Sequence, residues 1–350
     1  MRDWLRKEWL LAAAFCGLLL SSLARGGLPR YTPADLEMLL VLYALLLLAK
    51  GLELHGAVRM LAERLERGRY PGLRLVGFTF FLSMLVTNDV ALLAVLPVSL
   101  RLHGAELEML AVLEVLAANA GSALSPVGNP QNLFLYWFYG VPFARFVAAI
   151  APFSLFFLPL LAVLAWLWDC RHPVRPVGGA SAPDKGVAVY LVLLVLFVPV
   201  VLRWAPAGLA LLIPLVVALM DRAALRVDYA LLATFAVFFG LTDNLRELLA
   251  AALDHPHHVF LTAAALSQVI SNVPAALLLA DFTSNWRALL WGVSVGGFGT
   301  LLASLANLIG YRLVRAALPD RAAAFLLRYH LLGFAFLLLG AGIYLLAGPG

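Results

Sequence analysis

The chain has 350 residues, of which 63% are hydrophobic and only 13% are charged, and its mean hydropathy is +0.93. A soluble globular domain is nearer half apolar and a quarter charged, so this composition excludes an ordinary soluble protein. The net charge of +5 does not indicate nucleic-acid binding, because in a membrane protein the positions of the positive charges matter more than their sum. The two cysteines, Cys16 and Cys170, lie far apart and provide neither a disulfide framework nor a metal-ligand spacing.

Nine apolar segments are predicted to cross the bilayer. They cover residues 8–24, 34–50, 105–140, 142–168, 187–203, 206–220, 228–243, 285–311 and 322–347. The first follows a basic start, as in a secretory signal, but so much apolar sequence comes after it that we expect an uncleaved helix. After the second, residues 55–70 mix arginine and glutamate with apolar residues, which predicts an amphipathic helix along the membrane surface.

The stretch 71–101 is predicted to be a re-entrant hairpin rather than a span. As one helix, the part from Arg74 to Leu100 would be about 40 Å long, which exceeds the roughly 30 Å of a bilayer core. Residues in its middle favour helix caps and turns over helix interiors. These polar residues are Thr87, Asn88 and Asp89.

A second stretch, 258–283, is interrupted in the same way at Ser271 and Asn272. If both stretches are re-entrant and the N-terminus is cytoplasmic, most of the 25 Lys and Arg residues fall on the cytoplasmic side, as the positive-inside rule requires. The C-terminus is then external. Drawing the first hairpin, or both hairpins, as spans makes the distribution of positive charge less uneven, so the re-entrant topology is the prediction.

The two halves of the chain resemble each other, which predicts an inverted repeat. Each half has a polar hairpin tip followed by a broken helix, over 105–140 in the first half and over 285–311 in the second. The predicted fold class is therefore an all-α polytopic membrane protein with about nine spans, two re-entrant hairpins and two broken helices. Its parts are an N-terminal scaffold helix (1–32), a first repeat (33–170), a cytoplasmic linker (171–186) and a second repeat (187–350).

Broken helices at membrane depth predict a binding site, because each freed backbone N–H or C=O is costly unless protein, water or a ligand satisfies it. The run from Ser125 to Pro130 contains two prolines, so two amides are missing from any helical ladder. Half-helices that begin at such breaks direct positive dipole ends to an anion, and those that end there offer carbonyls to a cation. Buried carboxylates are candidate cation ligands or proton carriers, and here these are Asp89 and Glu114.

Simpler interpretations of the same residues stay open. Glycines such as Gly121 and Gly296 often serve helix packing alone, and Asn132 and Asn307 can bond across helices without binding a substrate. Asp89 can equally be the helix cap of its hairpin. Four neighbouring residues have the side chains of a metal cluster, although a solvated loop is the better interpretation. They are Asp254, His255, His257 and His258.

Four motifs carry a resemblance to a known group of transporters. They are Thr87-Asn88-Asp89-Val90-Ala91-Leu92, Gly128-Asn129-Pro130-Gln131-Asn132-Leu133, Ser271-Asn272-Val273-Pro274-Ala275 and residues 296–307. In these motifs the chain resembles the ion transporter superfamily, which holds arsenite/antimonite permeases, D-type sodium/proton antiporters, and citrate and divalent-anion/sodium symporters. Divalent-anion symporters typically show Ser-Asn-Thr at both hairpin tips. This chain has Thr-Asn-Asp and Ser-Asn-Val there, and the first form leans toward the arsenite permeases.

The resemblance implies a dimerising scaffold domain and a transport domain of two hairpins and two broken helices, which moves as an elevator under a sodium or proton gradient. The substrate- and ion-binding residues it implies are Thr87, Asn88, Asp89, Ser125, Gly128, Asn129, Asn132, Ser271, Asn272, Gly297, Gly299, Thr300 and Asn307. The candidates for proton or cation coupling are Asp89 and Glu114. No cofactor is expected apart from sodium as a coupling ion, and no other metal.

We therefore expect a secondary active transporter of a small anion, either an arsenite-like oxyanion or an organic carboxylate, in a bacterial inner membrane. The expected partners are the substrate, the lipid bilayer and a second copy of the chain in a homodimer, with no nucleic acid. The alternative is a sodium/proton antiporter on the same fold. The sequence lacks the motifs of intramembrane enzymes, and midplane inverted hairpins favour a transporter over a passive channel.

Overall fold

The structure is a computed structural model that describes residues 9–172, 184–246 and 255–347. Within these ranges the chain forms a series of helices with breaks between them. The α-helices within these ranges are α1 (Trp9–Arg25), α2 (Pro33–Leu54), α3 (Ala57–Leu65), α4 (Pro71–Leu85), α5 (Asn88–Ser99), α6 (Leu107–Ser122), α7 (Pro130–Phe138), α8 (Phe143–Arg171), α9 (Lys185–Val201), α10 (Leu212–Met220), α11 (Tyr229–Arg246), α12 (Pro256–Ile270), α13 (Asn272–Ala280), α14 (Trp286–Gly296), α15 (Leu305–Ala317) and α16 (Ala322–Ala347). Short 3-10 helices lie at Ala207–Leu211, Arg222–Leu225, Leu301–Ala303 and Pro319–Arg321. The described ranges contain no β-strand, so the predicted all-α class is confirmed.

Local chemistry explains where several helices begin. A proline opens α2, α4, α7 and α12, where its missing N–H is not needed and its fixed φ suits the first turn. The start of α2 also carries a capping box, in which the Asp35 N–H donates to Thr32 Oγ1 at 3.3 Å and Asp35 Oδ2 accepts from the Thr32 N–H at 2.7 Å.

Each predicted hairpin stretch contains two helices with a short break between them. Within 71–101, α4 ends at Leu85 and α5 begins at Asn88, and Thr87 between them has extended backbone with φ −72° and ψ 152°. Within 258–283, Ser271 alone separates α12 from α13 and has φ +76°. A residue other than glycine rarely adopts that backbone conformation, so the backbone at the tip of the second hairpin is strained.

Each predicted broken helix is likewise two helices joined by an irregular segment, α6 with α7 and α14 with α15. The residue before the second helix has almost the same extended backbone in both cases. Asn129 has φ −150° and ψ 145°, and Ser304 has φ −147° and ψ 143°. The second broken helix continues to Ala317, about a turn and a half beyond the predicted end at residue 311. In this last part only one face of α15 is apolar, so a search for uniformly apolar sequence ends too early.

The membrane assignment rests on helix length and composition. Among the described residues, three stretches are long and apolar enough to cross a membrane alone, namely Phe143–Arg171, Arg222–Leu245 and Pro319–Leu346. The helices of the hairpins and breaks are too short to do so singly, as half-helices that meet within a bilayer must be. The chain is thus a helical membrane protein. The span count, the repeat and linker boundaries and the orientation of the termini stay predictions, and residues 1–8 and 173–183 lie outside the described ranges.

Corresponding helices of the two halves make corresponding contacts. The first arm of each hairpin packs on the first half of the broken helix that follows it, α4 on α6 and α12 on α14. The second arm of each hairpin contacts the second half of the broken helix from the other half of the chain, α5 with α15 and α13 with α7. This reciprocal exchange is the contact pattern that an inverted repeat predicts.

Glycines allow the closest of these contacts. A Cβ placed on Gly121 of α6 would lie 2.1 Å from the Phe80 carbonyl oxygen in α4. A Cβ placed on Gly296 of α14 would lie 2.7 Å from the Ser267 side chain in α12. Small residues of this kind let membrane helices approach closely, so the packing interpretation of both glycines is the one that the structure supports.

We expect Gly121→Ala to destabilise the protein, because the new methyl group would contact helix backbone that has no room to shift. Overpacking of this kind typically costs about 1–3 kcal/mol. The matched control is Gly77→Ala, since Gly77 lies within α4 and a Cβ there would meet nothing within 4 Å. That control should be neutral or gain about 0.5–1 kcal/mol from helix propensity. The measurement is the unfolding temperature in detergent, and equal effects of the two substitutions would contradict the packing argument.

A histidine joins three helices at one edge of the fold. His55, just after α2, has Nδ1 2.6 Å from Asp184 Oδ2 before α9 and Nε2 3.1 Å from Asp221 Oδ2 after α10. The Tyr190 hydroxyl donates to the same Asp221 oxygen at 2.9 Å. The hydrogen bond to Asp184 raises the pKa of His55 above 6.5 against the opposing effect of burial, and Asp221 contributes in the same direction as Asp184.

Because the folded-state pKa of His55 is raised, its ion pairs contribute stability that is fully present below pH 6.5 and is lost as the pH rises through the raised value. We therefore expect the unfolding temperature of the wild type to exceed that of His55→Gln by more at pH 6 than at pH 9. Unfolding scans of both proteins at the two pH values measure this difference. A difference that does not change with pH would show that the ring contributes through packing alone.

Candidate functional site

One side chain bridges the break in the first broken helix. Asn132 is the third residue of α7, and its Nδ2 donates to three carbonyl oxygens released at the end of α6. These belong to Ser122 at 3.0 Å, Ala123 at 3.1 Å and Ser125 at 3.1 Å. The Ser122 and Ser125 carbonyls also accept the N–H groups of Ser125 at 3.4 Å and Gly128 at 3.2 Å. Asn132 adds donors to this segment and stabilises the break, because buried carbonyls need hydrogen-bond partners.

The second broken helix uses the same device. Asn307 is the third residue of α15, and its Nδ2 donates to the carbonyl oxygens of Gly297 at 3.0 Å and Thr300 at 3.1 Å. Gln268 of α12 holds the other side of this segment. It donates to the Gly296 carbonyl at 2.7 Å and accepts the Thr300 N–H at 2.9 Å, next to Gly299 with its left-handed φ of +91°.

A chain of amides connects the first hairpin tip to the second break. Asn88 Nδ2 donates to Asn119 Oδ1 at 3.4 Å, and Asn119 Nδ2 donates to Asn307 Oδ1 at 2.8 Å. All three side chains are buried. Asn119 belongs to α6 and was not among the residues predicted from the sequence. Its only sequence signal is a polar side chain two residues before Gly121 in an otherwise apolar run.

Both hairpin tips attach to the irregular segment of the broken helix in their own half. The Asn88 N–H donates to the Gly128 carbonyl at 3.0 Å, and Ser271 Oγ donates to the Ala303 carbonyl at 3.4 Å. Gly128 is required by close approach, because a Cβ there would lie 2.2 Å from the Ser122 carbonyl oxygen. The tips and the breaks therefore form one connected structure.

A cavity of about 190 Å³ lies where these tips and breaks meet. Five of the predicted ligand-binding residues line it: Asn88, Asp89, Asn129, Ser271 and Asn272. The remaining eight are not among the lining residues: Thr87, Ser125, Gly128, Asn132, Gly297, Gly299, Thr300 and Asn307. The structure thus places five of the predicted residues at the cavity wall. The other eight belong to the hairpin tips and helix breaks around it.

Four helices begin at this cavity. Lining residues come from the first turns or N-caps of α5, α7, α13 and α15. None of the four N-cap side chains caps its own helix; these residues are Thr87, Asn129, Ser271 and Ser304. The positive ends of four helix dipoles therefore face one small space, which favours negative charge or oxygen lone pairs there.

The carboxyl groups near this space are not all equivalent. Asp89 lines the cavity from the first turn of α5, and Asp228 lines it from the residue before α11. Glu114 is fully buried in α6, accepts a hydrogen bond from Ser99 and is not among the lining residues. Of the two predicted coupling candidates, only Asp89 is in position to contact a ligand in this cavity.

The cavity also contains residues that the sequence did not indicate as ligands. They are Gln131, Asp228, Thr234 and Ser304. Gln131 and Ser304 lie within the motifs quoted above. Treating every polar residue near a helix break as a candidate ligand would have included both. Asp228 has no such signal, because an aspartate before a span is also an ordinary helix N-cap.

The histidines at the start of α12 are not among the residues that line this cavity. The ring of His255 lies 5.3 Å from that of His257 and 5.0 Å from that of His258. Within the part of the chain that the structure describes, no group of three or more metal-ligating side chains has metal-site geometry. Asp254, the fourth member of the sequence pattern, lies outside the described residues.

Comparison with known proteins places the chain among transporters. A family model described as citrate transporter matches residues 7–327. A protein named inner membrane protein YbiR, from Escherichia coli strain K12, is 34% identical over 89% of this chain and 88% of its own length. Uncharacterized transporter MJ0456 from Methanocaldococcus jannaschii is 34% identical over 71% of this chain and 72% of its own length. Silicon efflux transporter LSI3 from Oryza sativa subsp. japonica is 32% identical over 45% of this chain and 33% of its own length.

We expect Asn132→Ala and Asn307→Ala to destabilise the protein and also to abolish ligand binding, because the breaks that form the cavity lose their donors. Each unsatisfied buried group costs about 1–3 kcal/mol. The matched control is Asn244→Ala, because Asn244 is also buried and donates two hydrogen bonds, to Ser21 and Ser22 of α1, away from the cavity. The control should lose stability but bind ligand normally once folded. Unfolding temperature and ligand binding are measured on each purified variant, and unchanged binding by both break variants would contradict the assignment.

Proposed function

Because this chain belongs to the citrate transporter family, we propose that it is a secondary active transporter of a small anion, coupled to a sodium or proton gradient. Its family and its relatives are transporters, so the chain is a transporter and not an enzyme. The observation that carries the proposal of an anion is the meeting of four helix N-termini at one polar cavity.

The lining favours a small oxyanion over a multiply charged carboxylate. No Lys, Arg or His occurs among the lining residues that the structure describes, so helix dipoles, amides and hydroxyls must hold the anion. Their partial charges suit a compact, weakly charged oxyacid with several oxygens, such as an arsenite-like substrate. A cavity of about 190 Å³ has little room for more than one such group together with a coupling ion. The relative named as a silicon efflux transporter fits the same class of small oxyacid.

Coupling follows from charge compensation in this cavity. Four positive helix ends without an anion, or buried carboxylates without a cation, leave uncompensated charge at membrane depth. Binding both partners removes that cost, so the loaded protein changes conformation more easily than the half-loaded one. Asn88 and Asn272 contribute amides from the two hairpin tips that can contact either partner.

A second cavity supports alternating access. It has a volume of about 860 Å³ and lies at the other end of α7 and α11, where Trp137 and Phe239 are among its lining residues. Phe134 and Phe239 line this second cavity, and the ring of Phe134 packs 6.2 Å from that of Phe235 and 5.8 Å from that of Phe239. An aromatic barrier of this kind separates two openings, as a transporter requires and an open channel does not.

In the proposed elevator motion, one group of helices moves against another, and the contacts between helices define the two groups. The hairpins and broken helices pack mainly on one another, whereas α2 contacts α9, α10 and α11, and α11 contacts α1. The first group would move as the transport domain against the second as the scaffold. With the predicted cytoplasmic N-terminus, the site cavity opens inward, since Trp9 at the start of α1 lines it. The scaffold would dimerise, as the resemblance to the superfamily implies.

The alternative is a sodium/proton antiporter on the same fold. The observation in its favour is that two carboxylates, Asp89 and Asp228, line a cavity whose described lining residues include no basic side chain. The two functions differ in their ligands. An anion transporter is stabilised by its anion, whereas an antiporter is stabilised by sodium or lithium alone and loses that stabilisation at low pH.

We expect a small oxyanion to raise the unfolding temperature of the purified protein, and sodium to enhance the effect over choline at equal ionic strength. A ligand at 100 times its dissociation constant adds about 2.7 kcal/mol to the stability of the native state. The panel contains oxyanions and carboxylates, each in sodium and in choline at two pH values. Stabilisation by sodium or lithium without any anion response would transfer the function to the antiporter alternative.

In the same panel, Asn88→Ala and Asn272→Ala should weaken the anion response. Loss of about 1.4 kcal/mol of contact corresponds to about tenfold weaker binding. The variant Asn244→Ala serves again as the control for a buried asparagine outside the cavity. Uptake by proteoliposomes gives a second measurement, and wild-type uptake by both tip variants would overturn the site.

A further inference from the structure

We propose that Arg203, Tyr136 and Trp137 form a latch that holds the proposed transport domain on the scaffold in the arrangement seen here. Tyr136 and Trp137 belong to the last turn of α7, and Arg203 follows the end of α9. This inference rests on the proposed function, because it concerns the boundary between the two groups of helices that would move against each other. It adds the contacts that favour one arrangement of those groups.

The helices α7 and α9 lie on opposite sides of this boundary. α7 packs most extensively on α13 and contacts α2 across the boundary, and α8, which follows it, packs on α4 and α6. α9 instead packs on α2 and on the 3-10 helix Ala207–Leu211. Bonds between the end of α7 and the end of α9 therefore join the transport domain to the scaffold.

The end of α9 has a helix C-cap with an unusual residue in it. The Trp204 N–H donates to the Pro199 carbonyl at 2.8 Å, and the Arg203 N–H donates to the Val200 carbonyl at 3.0 Å. This pair of bonds needs a left-handed residue just after the helix, and that residue is usually glycine. Arg203 takes the position with φ +60°, so its backbone is strained. Strain of this kind persists only where the surrounding structure imposes it.

Two carbonyls at this helix end are bound by side chains of the other domain. The C-cap bonds do not use the carbonyls of Val201 and Leu202, which are among the last of the helix. Trp137 Nε1 donates to the Val201 carbonyl at 3.1 Å, and the Tyr136 hydroxyl donates to the Leu202 carbonyl at 3.2 Å. The end of α9 is thus completed by donors from α7.

The Arg203 side chain makes contacts in the opposite direction. Its guanidinium donates to the Val141 carbonyl between α7 and α8, and it lies 4.5 Å from the centre of the Tyr136 ring. Tyr136 and Val141 are both buried. A planar guanidinium that stacks on a ring and also bonds a carbonyl accepts little displacement of either group. Three hydrogen bonds and one cation–π contact therefore cross the boundary at one place.

The position of the latch makes it specific to one conformation. α7 begins at the site cavity, and Trp137 near its other end lines the second cavity. When the transport domain moves along the scaffold, α7 carries Tyr136 and Trp137 away from the end of α9, and all of these bonds break together. The latch therefore stabilises the arrangement in which the site cavity is open, and releasing it is part of the barrier to movement.

The test measures the distance between the two domains in the full-length protein by pulsed electron paramagnetic resonance. Spin labels are attached to Leu219→Cys in α10 of the scaffold and Leu345→Cys in α16 of the transport domain, after Cys16→Ser and Cys170→Ser. Both leucines are exposed, and the predicted topology places them toward opposite faces of the membrane. Movement along the membrane normal then changes their separation. An excess of unlabelled protein suppresses distances between copies.

Two variants remove different parts of the latch. Arg203→Gly removes the guanidinium and suits the left-handed φ, so α9 should end as before. Trp137→Phe removes the indole N–H and keeps an aromatic ring. The matched control is Trp291→Phe, because Trp291 Nε1 of α14 donates to the Ala149 carbonyl of α8 at 2.7 Å, within the transport domain.

We expect the wild type and Trp291→Phe to show the same main distance, and Arg203→Gly and Trp137→Phe to populate a second one. In Arg203→Gly the ratio of the two arrangements should change by about tenfold, which corresponds to about 1.4 kcal/mol. A distance distribution of Arg203→Gly that matches the wild type would overturn the proposal. An equal change in Trp291→Phe would also overturn it, because the loss of any indole hydrogen bond would then have the same effect.

Adding sodium and the anion panel to the labelled proteins separates this inference from the proposed function. If ligands change the wild-type distance but Arg203→Gly does not, the transporter stands and the latch fails. If Arg203→Gly changes the distance but no anion stabilises the protein, the latch stands and the anion function fails. If neither ligands nor variants produce a second distance, the elevator motion and the latch fail together.

Discussion

The structure depends on one constraint, which is that a helix broken inside a bilayer must satisfy its freed backbone groups from within the protein. Two asparagines meet this need at equivalent places, since Asn132 and Asn307 are each the third residue of the second half-helix and each donate back to carbonyls at the end of the first. Serine or alanine would be too short to reach those carbonyls. Because these side chains bridge the two half-helices, the first can end and the second can begin inside the protein, and the space between them is left for a ligand.

The helix ends and the acidic residues give this space opposite kinds of charge. Four helix N-termini supply partial positive charge, and Asp89 and Asp228 supply negative charge. Neither kind is fully compensated by the described side chains around the cavity. A cavity built in this way holds an anion and a cation together better than it holds either alone. These electrostatics are what supports the proposed coupling of an anion to a cation.

The two halves share a backbone plan but differ in side chains. Asn119 lies two residues before Gly121 and donates to Asn307 Oδ1, whereas Ser294, two residues before Gly296, has a buried hydroxyl without a hydrogen-bond partner in the structure. Asn132 Oδ1 also has none. The first hairpin tip carries a carboxylate, and the second carries a strained serine with φ +76°. The two similar halves thus supply the frame, and their different side chains give the cavity two unlike sides.

The sequence by itself determined the helical membrane class, the four breaks and five of the residues that line the cavity, because proline, glycine and clustered polar residues within long apolar runs interrupt helices for local reasons. It did not indicate that Asn132 and Asn307 are framework rather than lining, since motif membership says nothing about the direction of a side chain. Only the tertiary structure linked Asn119 to Asn307 and brought Asp228 to the hairpin tip. These contacts join residues far apart in the chain, and a buried asparagine or an N-cap aspartate has the same local pattern whether or not it faces a cavity.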